Sequence, residues 1–272
     1  MIPLGQTLRD KLADPAIWAD AELGPGDAPF AYANLNSAVV ATTLEAATGE
    51  RYDRLVDRTV FTPLGIEACF NWLGCGPDQV RRAVALYRHN GELARDHPED
   101  LPPNCTVPTD PDVVCSLDDY EIGTNASVFS PQGGMRIGMV DLAKIGQALI
   151  ANSEPAFLSH EMRMVLAVSA RNSRNSNQDF FCSYGTGLQM IPSPAGKCLD
   201  DLVGDGRLWF GHSGEAYGLQ SGLWFDPQTG EGFSYFLTQA PPPVEGEDTG
   251  GFSTAEKALI RRAMEKLAEA GE

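Results

Sequence analysis

Lysine is scarce in this 272-residue sequence: Lys11, Lys144, Lys197, Lys257 and Lys266 are five of only 20 basic residues, against 37 acidic ones, for a net charge of −17. So acidic a chain repels phosphate backbones and anionic lipid, which excludes nucleic acid as an expected partner. No stretch approaches the ~18 uninterrupted apolar residues of a membrane span. The opening MIPLGQTLRDKLADP also lacks the apolar core of a signal peptide. Metal-ligand spacing is missing too. No C-x-x-C occurs, His89, His97, His160 and His212 are scattered, and His160-Glu161 begins like H-E-x-x-H but has Met164 where the second histidine belongs. No metal or organic cofactor is implied. What is present is a globular balance, 43% hydrophobic and 21% charged, which excludes wholesale disorder and suits a single domain over 1–272.

The six cysteines fall by proximity into three couples: Cys69 with Cys75, Cys105 with Cys115, and Cys182 with Cys198. Each brackets a loop-like segment, and closing such loops constrains the unfolded chain by about 2 to 4 kcal/mol each. This favours an oxidising compartment, so that a periplasmic or secreted protein is expected. Spacing alone leaves connectivity open, and six reduced thiols in a cytosolic chain are the alternative.

Residues 8–22 form a short helix-like run broken by Pro15, and GPGDAP at 24–29 is a turn. Val39, Val40, Leu44 and Ala47 have helical spacing and predict a helix over 37–47 closed by Gly49. A second helix is expected over 52–60, stopping before FTPLGI. Residues 70–133, rich in Pro, Asp, Gly and Cys, look like a long excursion with one helix at 78–87. An amphipathic helix follows over 140–150, and a further helical pattern over roughly 161–168. From Tyr184 the period changes. YGTGLQMI, RLWFGHSG, YGLQSGLWFDP and GFSYFLTQA predict strands of an antiparallel sheet, residues 241–251 a linker, and Ser253 the cap of a closing helix. Helices first and a meander last is an α+β order.

Three places combine polar groups with glycine in ways a packed core does not need. In Phe30-Ala31-Tyr32-Ala33-Asn34 a phenol and an amide precede a helix. A tyrosine of depressed pKa can act as general base, and an amide two residues on can hold a substrate carbonyl. An ordinary buried aromatic and a helix cap fit the same residues. Gly211-His212-Ser213-Gly214-Glu215 superficially resembles a G-x-S-x-G elbow, but Glu215 replaces the last glycine and a strand rather than a helix follows. Glycine there suits close approach of a sheet edge to a substrate, flanked by His212 and Ser213. Ser130-Pro131-Gln132-Gly133-Gly134 is a tight turn leading into a helix.

In this order the segments resemble the serine β-lactamase-like hydrolases: class C β-lactamases, DD-peptidases and related esterases. FAYANLNSAVVATTLEAATGERYDRLVDRTVFTPLGI is similar to that superfamily's Tyr-x-Asn stretch, SPQGGMRIGMVDLAKIGQALI to its Gly-Gly turn and helix, and GHSGEAYGLQSGLWFDP to its Lys-Thr-Gly or His-x-Gly strand. The resemblance spans about residues 20–240. It implies a β-lactamase/transpeptidase-like α+β fold, with the C-terminal strands forming an antiparallel sheet packed with helices. It also implies that Tyr32 moves the nucleophile's proton, that Asn34 binds the substrate carbonyl, and that His212, Ser213 and Gly214 line the acyl pocket. The backbone N–H of Glu215 is then one oxyanion donor. The substrate class implied is a small molecule or a peptide.

The superfamily's nucleophile belongs to a Ser-x-x-Lys upstream of Tyr-x-Asn. Here Leu8, Asp141, Pro194, Thr254 and Ala263 stand three positions before the five lysines, so no Ser-x-x-Lys exists. Thr254-x-x-Lys257 is the nearest variant and falls in the closing helix. The resemblance therefore implies that the N-terminal part of the family fold is missing, which leaves a groove and a sheet edge open. Three explanations follow: a truncated serine hydrolase, completion by another polypeptide or by a second copy, or a fold repurposed for binding. Ser213 as a new nucleophile is disfavoured, because adjacent strand residues point to opposite faces and His212 is its neighbour.

Overall fold

A computed structural model of the chain describes residue 2 and residues 5–18, 32–96, 116–150, 156–167, 169–172, 181–193, 198–241 and 251–271. In chain order the helices are α1 (Leu8–Leu12), α2 (Leu35–Thr48), α3 (Tyr52–Val56), α4 (Thr62–Leu64), α5 (Pro77–Arg81), α6 (Met139–Leu149), α7 (His160–Ala167) and α8 (Thr254–Gly271). The strands are β1 (Ala68–Phe70), β2 (Leu86–Tyr87), β3 (Leu93–Arg95), β4 (Met135–Ile137), β5 (Ser169–Asn172), β6 (Ser183–Gly185), β7 (Gln189–Ile191), β8 (Trp209–Ala216), β9 (Leu219–Phe225) and β10 (Gly232–Leu237). They form two compact units, one built mainly from residues 1–28, 32–85 and 95–141, the other from 86–94 and 142–272.

In the first unit α2 is the central helix. Its Ala38 and Ala41 are buried, and Gly49 ends it in the left-handed region at φ 68°. Glu45, fully buried on α2, accepts hydrogen bonds from the Tyr52 N–H (2.7 Å), the Tyr120 hydroxyl (2.6 Å) and the Gly123 N–H (2.9 Å). Those three bonds satisfy a buried carboxylate and tie two separate segments, the start of α3 and the 120–123 loop, to one helix. The helix expected over 52–60 runs further, through a π-turn at Asp57–Phe61 into α4, and stops at Gly65 (φ 60°). Pro63 does not end it, because at the second position of a new helical turn its missing N–H costs no bond. Phe61, Phe70 and Phe129 are buried nearby, and the Tyr52 and Phe70 rings lie 5.2 Å apart. β1 pairs antiparallel with β4.

The helix expected at 78–87 is a second correction. α5 ends at Arg81, and Leu86 and Tyr87 turn into β2, paired with β3. The Asn90-Gly91 turn and the burial of Leu86 favour a hairpin over another helical turn.

The second unit carries the sheet expected from the C-terminal segments, six strands in the order β10-β9-β8-β7-β6-β5 with antiparallel pairings. The segment YGTGLQMI supplies two of them, β6 and β7, rather than one. Trp209, Trp224, Tyr235, Ile191, Leu202, Phe252 and Ile260 form its core, so one sheet face packs on α8. Ser253 caps α8 with a reciprocal box: the Glu256 N–H donates to Ser253 Oγ (3.2 Å) and the Ser253 N–H to Glu256 Oε2 (2.8 Å). Lys257 Nζ donates to the Leu199 carbonyl from within this helix, at 3.4 Å. Among the described residues no helix is long and apolar enough to cross a membrane. No cluster of His, Cys, Asp and Glu there has metal-site geometry.

Two disulfides close as the spacing suggested, Cys69–Cys75 and Cys182–Cys198. Cys105 and Cys115 lie outside the described residues.

Candidate active site

Tyr32 and Asn34 fall in the first unit, His212, Ser213, Gly214 and Glu215 in the second. Asn34 occupies the N-cap position of α2, yet its side chain makes no capping hydrogen bond. The amide is exposed instead, so helix capping does not consume it. Tyr32, two residues earlier, is half-buried, and burial pushes its phenol above the usual tyrosine range. Within this chain Tyr32 therefore holds its proton at neutral pH. A tyrosinate would require a neighbouring cation to draw the value down.

On β8 the geometry follows from register. A two-residue turn, Tyr217 at φ 58° and Gly218 at φ 79°, joins β8 to β9. Positive φ at both central positions is the type I′ hairpin, whose closing pair, here Ala216 with Leu219, is hydrogen-bonded. Pairs alternate from there, so Gly214–Ser221 is bonded while Glu215–Gln220 and Ser213–Gly222 are not. The N–H and C=O groups of Ser213 and Glu215 thus point away from β9. On that other side β7 pairs only with Trp209–Gly211. Beyond Gly211 the β8 edge presents backbone donors that neither neighbouring strand takes up.

Gly211 has a different task from the one its sequence suggested. A Cβ there would collide with the Leu223 carbonyl of β9, so this glycine serves strand-to-strand approach rather than approach to a substrate. Gly214 is less constrained, its nearest obstacle being the Ser221 hydroxyl at 2.7 Å.

The second unit gathers His212 and Ser213 with two residues that the sequence did not single out. Ser213 Oγ donates to Gln189 Oε1 at 3.2 Å, and Gln189 is fully buried. His212 places Nδ1 2.6 Å from the Ser213 carbonyl and Nε2 2.9 Å from the Tyr184 hydroxyl. Burial lowers the His212 pKa, outweighing the opposite pull of the carbonyl contact, so the ring is neutral at neutral pH. Ser213 consequently gives its proton to an amide, while the imidazole beside it is engaged elsewhere. Tyr184 lies in YGTGLQMI, a segment whose strand character was visible but whose ring carried no separate signal.

A family model described as Beta-lactamase matches residues 4–254. The chain belongs to the beta-lactamase family. The match covers the Tyr-x-Asn stretch, the Gly-Gly turn and β8 in one span. Among solved structures this beta-lactamase-family chain is similar to SurE, at 20% identity and a TM-score of 0.57, over 98% of this chain and 50% of that one. It is similar to the D-amino acid amidase of Ochrobactrum anthropi SV3, solved with L-phenylalanine, at 14% identity and a TM-score of 0.59, over 92% and 60%. It is also similar to a class C beta-lactamase, at 12% identity and a TM-score of 0.57, over 96% and 64%. At these identities the likeness establishes the fold, which is beta-lactamase/transpeptidase-like. The chain spans between half and just under two thirds of the length of these structures. No curated protein matches it.

Proposed function

We propose that this chain carries the substrate-clamping and proton-handling part of a β-lactamase-related serine hydrolase, one that transfers the acyl group of an ester, a peptide or a β-lactam amide. The observation that carries the reading is the β8 edge beyond β7, where register aims the Glu215 N–H away from β9. A fixed backbone N–H of this kind stabilises the oxyanion that forms when a hydroxyl adds to a carbonyl, and it needs no reorganisation to do so. The unspent amide of Asn34 suits the substrate carbonyl. Tyr32, protonated in this chain, passes the proton between nucleophile and leaving group once a cation lowers its pKa. The reading as a single domain over 1–272 with an excursion at 70–133 belongs to this proposal. So does a periplasmic or secreted location, which the two disulfides support.

The acylating serine is the missing part. No Ser-x-x-Lys lies within the 272 residues, and among the described residues the partner of the Ser213 hydroxyl is the Gln189 amide and not a base. Intact mass after exposure to a fluorophosphonate is the first test, with no adduct expected on this chain. A stoichiometric adduct would place an activated serine within it and overturn the division of labour. Supplying an upstream Ser-x-x-Lys segment is then expected to give esterase activity that Tyr32→Phe abolishes, and activity that survives Tyr32→Phe would sink the role of the phenol.

A second reading is favoured by the engagement of Ser213 with Gln189: a binding protein that keeps the clamp and has lost acylation. It expects a folded chain that holds an acyl or peptide ligand without turnover, by calorimetry and product analysis. A molten, aggregating chain would count against it.

A further inference from the structure

The open edge of β8 presents acceptors as well as donors. The alternation that aims the Ser213 and Glu215 N–H groups away from β9 aims the Ser213 carbonyl the same way. A carbonyl oxygen beside a developing oxyanion repels it, and an unpaired one competes for any donor that the substrate brings. His212 meets that carbonyl with Nδ1 at 2.6 Å. A carbonyl only accepts, so Nδ1 carries the hydrogen of the neutral ring and Nε2 is left as the acceptor. The Tyr184 hydroxyl, 2.9 Å from Nε2, therefore donates to it.

The rings are packed as well as bonded. Tyr184 and His212 meet edge-on, centroids 5.5 Å apart at 89°. Phe181 closes the group at 5.6 Å from Tyr184 and 5.9 Å from His212. The next residue after Phe181 is Cys182, whose disulfide to Cys198 anchors the segment. The imidazole has both nitrogens committed and two aromatic rings packed around it.

We propose that Tyr184 is a positioning residue that locks His212 as the Nδ1–H imidazole, so that His212 caps the Ser213 carbonyl and the open β8 edge presents donors to the substrate. His212 is then neither the base for Ser213 nor a cation for the substrate. It acts as an uncharged wall, and the low pKa that burial gives it keeps it so. The proposal rests on the reading of β8 as the substrate edge, but its test does not pass through hydrolysis.

The test is long-range 1H–15N spectroscopy of the full chain labelled at histidine, with the His212 signals assigned by their loss in His212→Gln. The expected pattern is a protonated Nδ1 and a hydrogen-bonded, unprotonated Nε2, the tautomer that is the minor one for imidazole in water. In Tyr184→Phe the Nε2 resonance is expected to shift, and the Nδ1–H to exchange with solvent about fivefold faster, the factor for losing one hydrogen bond. Phe181→Leu removes ring packing but no polar partner and is expected to leave both readouts in place. An Nε2–H tautomer in the wild-type chain overturns the proposal, and that measurement decides even if Tyr184→Phe does not fold. No change in Tyr184→Phe, or the same change in Phe181→Leu, overturns it as well. Absence of acyl transfer in the complemented enzyme would remove the proposed function while leaving the ring chemistry as measured.

Discussion

Burial sets the protonation of both Tyr32 and His212, in opposite chemical senses. It raises the phenol and lowers the imidazole, and in each case the neutral form is the one held in the fold. For His212 this fixes the sign of a stability effect. The unfolded chain binds a proton at the ordinary histidine value of about 6.5, before the folded chain does, so stability is full above that pH and falls as pH drops through it toward the lowered folded value. Denaturant midpoints measured from pH 7.5 downward are expected to fall more steeply for the wild-type chain than for His212→Gln. Equal slopes would mean that His212 titrates as it does in the unfolded chain. At this scale the sequence singled out Tyr32, Asn34 and His212 because their residue types come in an ordered motif. Tyr184 and Gln189 were invisible because an aromatic or an amide in a strand is ordinary, and only the β6–β7 hairpin places them against β8.

Elements show where local pattern suffices and where it does not. α6, α8 and the strands from β6 to β10 follow the pattern of their own residues, whereas α2 forms where expected but turns Ala38, Ala41, Thr42 and Glu45 inward and leaves Val40 and Leu44 of the expected apolar stripe exposed. The π-turn after α3 and the β2–β3 hairpin do not follow theirs, since one depends on how a proline is accommodated and the other on pairing across the Asn90-Gly91 turn. Two elements carry sharp energetic expectations. Gly211→Ala would drive a methyl group into the β9 backbone, and the cost expected of such overpacking is about 1 to 3 kcal/mol, read as a lower denaturant midpoint. A neutral result would mean that β8 and β9 can separate without penalty. Glu45→Ala strands the donors of Tyr52, Tyr120 and Gly123 in the first unit. With about 1 to 3 kcal/mol for each buried group left unsatisfied, the loss is expected to exceed about 2 kcal/mol. Glu45→Gln keeps an acceptor oxygen and is expected to lose less.

Across the whole molecule the family could be read from the order of three short motifs, because the three occur in a sequence that no single motif specifies. The division into two units was not legible, since no composition shift or linker marks it. The oxidising compartment can be probed through the disulfides. Cys182–Cys198 closes a loop of sequence separation 16, and replacing both cysteines by alanine is expected to cost about 3 kcal/mol. A loss near zero would show that the loop is held without its bridge. The sheet of the second unit has a further consequence, for the time at which its parts form. Every strand from β5 to β10 pairs with its neighbour in sequence, so no pairing in that sheet waits for a distant partner. Such a meander has low contact order and can grow strand by strand as the chain leaves the ribosome. The strand that bears the His-Ser-Gly segment then has its register set by the Tyr217-Gly218 turn as soon as β9 emerges, before the closing helix has been synthesised.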